Sequence, residues 1–330
     1  MNKFEIVAPT DLANASRLLA RKDHVAIAGG VDVVDLMKLN LIAPATLVNL
    51  KGLKELDGIQ SDPKVGLRLG ALTKLHDVAN HPTIREQYTA IAEAAAEAAT
   101  PQIRNLGTVG GNLLQRPRCW YFRNPDVHCL KKGGDKCYSI GGLNRYNAIL
   151  GGGPSYIVHA SNLAPALIAM NARARIMGPA GERNVEIEKF FTLPSVDATR
   201  ENSLQPGEVI VEVIVPAPAP GTRSTYLEER EKQSFDWPLV SVAAVLMSAP
   251  QSTSIRDARI VMGAVAPIPW RVPGAEGAIK GAPLDVARAK AAAEAALKEA
   301  QPMSDNAYKV TIAKVMVRRA ILRAGGIAEA

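Results

Sequence analysis

The chain has 330 residues, 47% of them apolar, 5% aromatic and 22% charged, with a formal net charge of +7. This is the composition of a water-soluble globular protein long enough for more than one lobe. No run of eighteen apolar residues is present, which excludes a membrane-spanning helix, and Met1–Ile6 carries one lysine but no apolar signal core. A cytoplasmic location is expected from this sequence, and a periplasmic one if a signal-bearing partner subunit carries the chain out.

The first fifty residues read as a β-α-β-α-β unit. Glu5–Ala8 is a short strand, and Thr10 or Asp11 can cap a helix through Leu18-Leu19-Ala20. His24–Ala28 is predicted as a buried strand that runs into Gly29-Gly30, with a helix over Asp32–Lys38 and a strand over Thr46–Leu50. A strand–glycine–helix junction is an anion site, because helix-start amides point outward and the dipole favours negative charge.

A strand is predicted at Leu67–Gly70 and a strong helix over the alanine-rich Ala90–Ala99, stopped by Thr100-Pro101. Arg104–Asn112 is too glycine-rich for a regular element. Residues 115–155 hold all three cysteines and much glycine with little periodicity, the mark of a functional or disordered loop. Further on, a strand at Tyr156–His159, a helix at Ala164–Met170 and a strand at Val209–Val215 are expected. Pro216–Pro220 then serves as a linker. The last part carries predicted strands at Val240–Met247 and Ala258–Val265, then helices over Leu284–Glu299 and Tyr308–Ala324. That order implies an α+β lobe with helices on one sheet face.

The basic residues are scattered. Their densest group, Lys131, Lys132 and Lys136 followed by Arg145, lacks interleaved aromatics. Nucleic-acid binding is therefore set aside in favour of a basic face for an acidic partner. Two glycine junctions, Ala28–Asp32 and Thr108–Asn112, stand about eighty residues apart. Each can bring bare amides close to a phosphate, because glycine lacks the Cβ that would block approach. Neither matches the NAD fingerprint or the P-loop. Together they suit a ligand of dinucleotide length.

Cys119, Cys129 and Cys137 fall within nineteen residues. Buried structural thiols, a disulfide with one thiol left over, zinc with His128 as fourth ligand, and iron–sulfur ligation are the alternatives. A zinc set would need the adjacent His128 and Cys129 to face one ion. His24, His76, His81 and His159 form no catalytic pattern and read as structural.

Several segments resemble the FAD-binding medium subunit of the xanthine dehydrogenase and aldehyde oxidoreductase superfamily. They are Ala26-Ile27-Ala28-Gly29-Gly30-Val31-Asp32 with Leu36-Met37-Lys38, Arg104–Leu113, Ser161–Leu167, Leu239–Ala243 and Gly263–Ala266. The resemblance spans essentially the whole chain. It implies an α+β fold: a two-lobed FAD-binding region of the vanillyl-alcohol-oxidase type plus a small C-terminal α+β domain. The implied boundaries are 1–55, 56–220 with the insertion at about 115–155, and 221–330.

By the same resemblance Ala26, Ile27, Ala28, Gly29, Gly30, Val31, Asp32 and Val33 wrap the FAD pyrophosphate. Thr108, Val109, Gly110, Gly111 and Asn112 close its other side. Asn162, beside Ser161, holds a sugar hydroxyl, and Ile210 contacts the adenine or ring region. The family usually has Asp where Asn162 stands. Charged hydrogen bonds contribute roughly 1.5–3 kcal/mol and neutral ones about 1, so FAD is expected to bind about tenfold more weakly but still bind. Where relatives often carry lysine this chain has Glu228, and Arg230 or Lys232 is expected to compensate.

The insertion resembles that of the periplasmic aldehyde oxidoreductases and 4-hydroxybenzoyl-CoA reductases, whose FAD subunit carries an extra [4Fe–4S] cluster. The stretch Gln115–Phe122 matches the former group, and Ser155 stands near its fourth cysteine position. The resemblance thus implies a [4Fe–4S] or [3Fe–4S] cluster on Cys119, Cys129, Cys137 and Ser155. It also implies a large partner subunit with the molybdenum cofactor, a small [2Fe–2S] partner subunit and an external electron acceptor. The implied function is electron relay through FAD. The alternatives are a self-sufficient flavin oxidase with its own substrate pocket, or an assembly scaffold that has lost FAD.

Overall fold

The computed structural model describes residues 1–232, 235–248 and 254–328. Three sheets organise the chain. The first is all parallel, in the order β1-β3-β2, from β1 (Glu5–Val7), β2 (His24–Ile27) and β3 (Thr46–Asn49). Helix α1 (Leu12–Leu19) and helix α2 (Val31–Lys38) make the two crossovers, as parallel neighbours require. Asp11 rather than Thr10 caps α1, its carboxylate accepting the Asn14 amide at 2.7 Å. Strand β2 lies at the sheet edge and is half-buried, not buried as its apolar run suggested.

The second sheet is antiparallel, ordered β4-β5-β8-β6-β7. It is built from β4 (Ile59–Asp62), β5 (Gly66–Gly70), β6 (Arg173–Gly178), β7 (Gly181–Glu186) and β8 (Val209–Val215). A register shift opposite Arg175–Ile176 re-aims the central strand β8. Val209 and Val211 join the core beneath α1, with Leu12 and Val48, whereas Ile210, Val213 and Val215 join the larger core. A bulge turns one strand into the shared wall of two cores.

The third sheet, ordered β12-β11-β10-β9, is antiparallel. It contains β9 (Thr222–Glu229), β10 (Val240–Ser248), β11 (Ile255–Gly263) and β12 (Trp270–Arg271). Helices Pro273–Ile279, Val286–Ala296 and Tyr308–Gly325 pack on one face, against Val242, Ala244 and Leu246. The other face is covered too: Ala243 and Val245 share a core with the alanine-rich helix Thr89–Glu97 and helix Leu163–Ala169. Methyl side chains let that helix approach closely, and this contact joins the lobes.

Two expectations about regular elements fail. Tyr156–His159 is extended but is not a sheet strand; it is held by the bonds of Ala148 N–H to Tyr156 and of His159 N–H to Ala266. The glycine-rich 104–112 stretch ends in a regular helix, Val109–Leu114, because the Thr108 hydroxyl caps it. Strands β4, β7, β9 and β12 carried too little apolar alternation to be anticipated, and β6, whose Ala174 and Ile176 do alternate with Arg173 and Arg175, was missed.

The insertion 115–155 contains the short helix Trp120–Arg123 and a 3-10 turn at Leu130–Lys132. Its far end is nailed to the C-terminal lobe. Asn144 exchanges hydrogen bonds with Ser304 and Asp305, Asn306 donates to the Asn147 and Ala148 carbonyls, and Lys309 Nζ bonds the Asn147 and Ala264 carbonyls. Lys309 is fully buried, and burial pulls its amine down to about 7. Among the described residues no helix is long and apolar enough to cross a membrane.

Candidate functional site

The two glycine junctions meet. A Cβ on Gly29 would lie 2.0 Å from the Leu106 carbonyl oxygen, so only glycine lets these backbones touch. Gly30, at φ +79°, then turns the chain into α2 as its N-cap. Ile27 and Val34 close beneath Gly30, and Ala26 and Ala28 pack into the first core. The first-turn amides at Val31, Asp32 and Val33 have no helical carbonyl to bond.

The second junction differs from expectation. Its amides are not bare: Val109 N–H bonds Thr73, Gly110 N–H bonds Ala71, Gly111 N–H bonds the Thr108 hydroxyl and Asn112 N–H bonds Thr108. What it offers is room. A Cβ on the exposed Gly111 would meet only Thr108 Oγ1, at 3.0 Å. Asn112 links this junction to the next segment, its side-chain oxygen accepting Ser161 Oγ at 2.6 Å and the Leu163 amide at 3.2 Å. Thr108, Asn112 and Ser161 thus form one continuous wall.

Asn162 and Glu228, two separate departures in the sequence, touch. Asn162 Nδ2 donates to Glu228 Oε2 at 2.8 Å, and Tyr226 donates its hydroxyl to the same oxygen at 2.7 Å. Arg230 pairs with Glu228 and reaches Glu97. Burial pushes the Glu228 carboxyl up, although Tyr226, Arg230 and Asn162 all pull it down. The amide at 162 is therefore not a weakened carboxylate. It is the donor that a buried carboxylate at 228 requires. Arg230 is committed to this network, and Lys232 is exposed. Ile210 is buried in the large core, on the face of β8 turned away from the first lobe.

Asp32 is also redirected. Its Oδ2 accepts the Arg116 amide at 2.8 Å, and its Oδ1 accepts Arg118 at 2.5 Å and Arg123 at 2.8 Å. Burial favours the neutral acid, but Arg118, the Arg116 amide and Arg123 outweigh it and hold the carboxyl below its usual range. The side chain points at the cysteine insertion, where both of its oxygens are engaged. Nearby, Arg116 and the buried Lys131 pair with Glu201. Sequence reasoning missed this cluster; the run of arginines at 116, 118 and 123 was its only local signal.

None of the three cysteines is in a disulfide. Cys119 and Cys129 share an apolar cluster with Phe122 and Leu36 of α2. Cys137 Sγ lies 2.9 Å from Ser139 Oγ. Burial pushes the Cys119 thiol up; the Phe122 and Tyr121 amides oppose this, and the proximity of Cys137 and Cys129 adds to it. Among the described residues no three His, Cys, Asp or Glu side chains are arranged around a single metal ion. His128 is exposed while Cys129 is buried, so the two adjacent side chains face different surroundings. Ser155 is buried beside the segment that bonds Val265 through Ile149 and Leu150, and no hydrogen bond joins it to a cysteine among the described residues.

A cavity of about 270 Å³ opens between the insertion and the β9–β10 connection, lined by Cys119, Arg118, Tyr146, His159 and Trp237. His159 is wholly buried, which lowers it to about 4, and its Nδ1 faces the Ser161 amide at 3.3 Å.

Residues 2–218 match the family described as the FAD binding domain in molybdopterin dehydrogenase, and residues 225–324 match the CO dehydrogenase flavoprotein C-terminal domain. The chain belongs to this family of FAD-binding medium subunits of molybdenum hydroxylases and is an FAD-dependent oxidoreductase subunit. Among relatives, it is 34% identical to the aldehyde oxidoreductase FAD-binding subunit PaoB of Escherichia coli over 87% of both chains. It is 29% identical to the carbon monoxide dehydrogenase medium chain of Hydrogenophaga pseudoflava over 97% of this chain and 96% of that one. The solved carbon monoxide dehydrogenase of Hydrogenophaga pseudoflava superimposes with a TM-score of 0.78 at 27% identity over 98% of both chains. Quinoline 2-oxidoreductase of Pseudomonas putida 86 gives 0.76 at 25% identity, also over 98% of both.

Proposed function

We propose that the surface where Gly29-Gly30 meets Leu106–Gly111 holds the pyrophosphate of FAD, and that the chain relays electrons between partner subunits and an external acceptor. The observation that carries this is the backbone contact at Gly29, which turns two distant junctions into one ligand-sized surface. The residues fit the group: α2 presents unbonded first-turn amides and a favourable dipole end, and Gly111 leaves open the space that a side chain would fill. When bound, FAD supplies an electron store between one-electron carriers and the acceptor. The chain's own task is to grip and orient it: α2 draws the phosphates, Thr108 and Asn112 keep the opposite wall rigid, and the Asn162–Glu228 pair backs the Ser161 turn.

The cysteines are best read as ligands of an iron–sulfur cluster. A cluster is larger than an ion, so its thiolates stand farther apart than the ligands of zinc, and the surrounding arginines suit its negative charge. The molybdenum cofactor and a [2Fe–2S] centre belong, on this reading, to a large and a small partner subunit. Denaturing the purified protein should release FAD and not FMN. Stoichiometric FMN, or no flavin after reconstitution, would overturn the reading. Iron and acid-labile sulfide should accompany each chain; zinc alone, or no metal with FAD fully loaded, would refute the cluster.

A further inference from the structure

Helix α2 carries two things at once. Its N-terminus begins at the glycine junction, and its first turn carries Asp32, the hub of the bonds to the cysteine insertion. Arg123 also pairs with Asp35 at 2.8 Å, and Leu36 packs against Phe122 and Cys129. Arg116 and Arg123 stack on Phe122, while Arg118 lies 4.5 Å above the Trp237 ring. One face of an eight-residue helix is therefore pinned to residues 116–129 by charge and by apolar contact.

The electrostatics make this arrangement more than a fastening. A lone carboxylate in the first turn of α2 would repel a pyrophosphate at the helix start. Here Arg116, Arg118, Arg123 and Lys131 face Asp32, Asp35 and Glu201, so the carboxylates of α2 are offset by cations from the insertion. The insertion's arginines thus make α2 hospitable to a dianion, and a dianion that steadies α2 steadies the platform that holds the insertion.

We propose that Asp32 is a positioning residue that couples FAD occupancy of the glycine junction to ordering of the cysteine-bearing insertion. This rests on the reading that FAD occupies that junction. Coupling between sites is reciprocal, so FAD should protect the insertion and the insertion's arginines should favour FAD.

Hydrogen–deuterium exchange of peptides within residues 116–132, measured on the full chain without FAD and at saturating FAD, tests it. In the wild type, FAD should slow exchange there by at least about tenfold, the equivalent of one charged hydrogen bond. In Asp32→Asn, FAD at saturation should still bind, but exchange should be nearly the same with and without it; Asp32→Glu should recover most of the protection. Arg118→Gln should raise the dissociation constant for FAD, and it serves as the second variant if Asp32→Asn does not fold. Bound FAD that leaves wild-type exchange unchanged overturns the coupling while leaving the FAD site intact. Exchange that rises by one factor in both states of Asp32→Asn shows a merely structural bond and also overturns it. A wild-type chain that takes up no FAD overturns the FAD site and the coupling together.

Discussion

The glycine junctions, at the N-terminus of α2, and the cysteine insertion, along one of its faces, are built from opposite materials. The junctions are backbone against backbone: Gly29 on the Leu106 carbonyl, Gly30 in the left-handed region, Gly110 hydrogen-bonded to Ala71. The insertion has little regular structure; charge holds its start and hydrogen bonds hold its return. Asp32 and Glu201 take its arginines and Lys131 at the start, and Asp305, Asn306 and Lys309 grip its return. Backbone packing fixes shape without adding charge, as a phosphate site needs. Side-chain networks hold an irregular loop in place and make its position responsive to charge.

The sharpest way to break the contrast is Gly29→Val. Overpacking typically costs 1–3 kcal/mol, and here the added carbon meets backbone, which cannot step aside, so a loss at or above about 3 kcal/mol is expected. Calorimetry should show a melting temperature several degrees lower, with no FAD retained. Gly111→Val separates fold from ligand: its Cβ meets only the Thr108 hydroxyl, at 3.0 Å, and no backbone, so the melting temperature of the FAD-free chain should fall less than in Gly29→Val while FAD retention falls to background. FAD content unchanged from wild type in both variants would place the flavin elsewhere.

Asn162→Asp probes the boundary between backbone and charge. The carboxylate would face Glu228, so the change should cost about 1–3 kcal/mol, the penalty of losing a donor to a buried charge. This reverses the gain that a neutral-for-charged exchange alone would suggest. Two carboxylates sharing one proton suffer least in acid, so the deficit should shrink as pH falls toward 5. Glu228→Gln should rescue it at neutral pH. An Asn162→Asp variant that binds FAD more tightly would refute this account.

A pH-dependent effect belongs to the insertion's far anchor. Folded Lys309 sheds its proton near 7, and the unfolded lysine keeps it to about 10.5. Between those values the unfolded chain binds more protons, so this residue makes stability rise with pH, and its buried charge is a cost below 7. In Lys309→Met that contribution should vanish. Urea denaturation at pH 7 and pH 9.5 should show the difference between variant and wild type shifting toward the wild type at the higher pH.

Local pattern carried the reading of the fold a long way. The β-α-β-α-β start, the alanine-rich helix, strands β8, β10 and β11 and both late helices follow from periodicity, caps and glycine placement, which act within a few residues. The glycine pairs and the clustered cysteines were legible for the same reason. Edge and polar strands such as β4 and β7 were not, because pairing across the sheet, not their own pattern, makes them strands.

Only the tertiary structure decided what lies between distant residues. Gly29 had to touch Leu106 before two weak junctions became one surface. The Val109–Asn112 amides looked free until Thr73 and Ala71 claimed two of them and Thr108 the other two. Asn162 and Glu228 read as two independent departures until the fold set them 2.8 Å apart. Asp32 read as a ligand residue until three arginines more than eighty positions away took its oxygens. A linear sequence states which charges and donors exist, but burial forces them to find partners, and which partner is near is settled by packing.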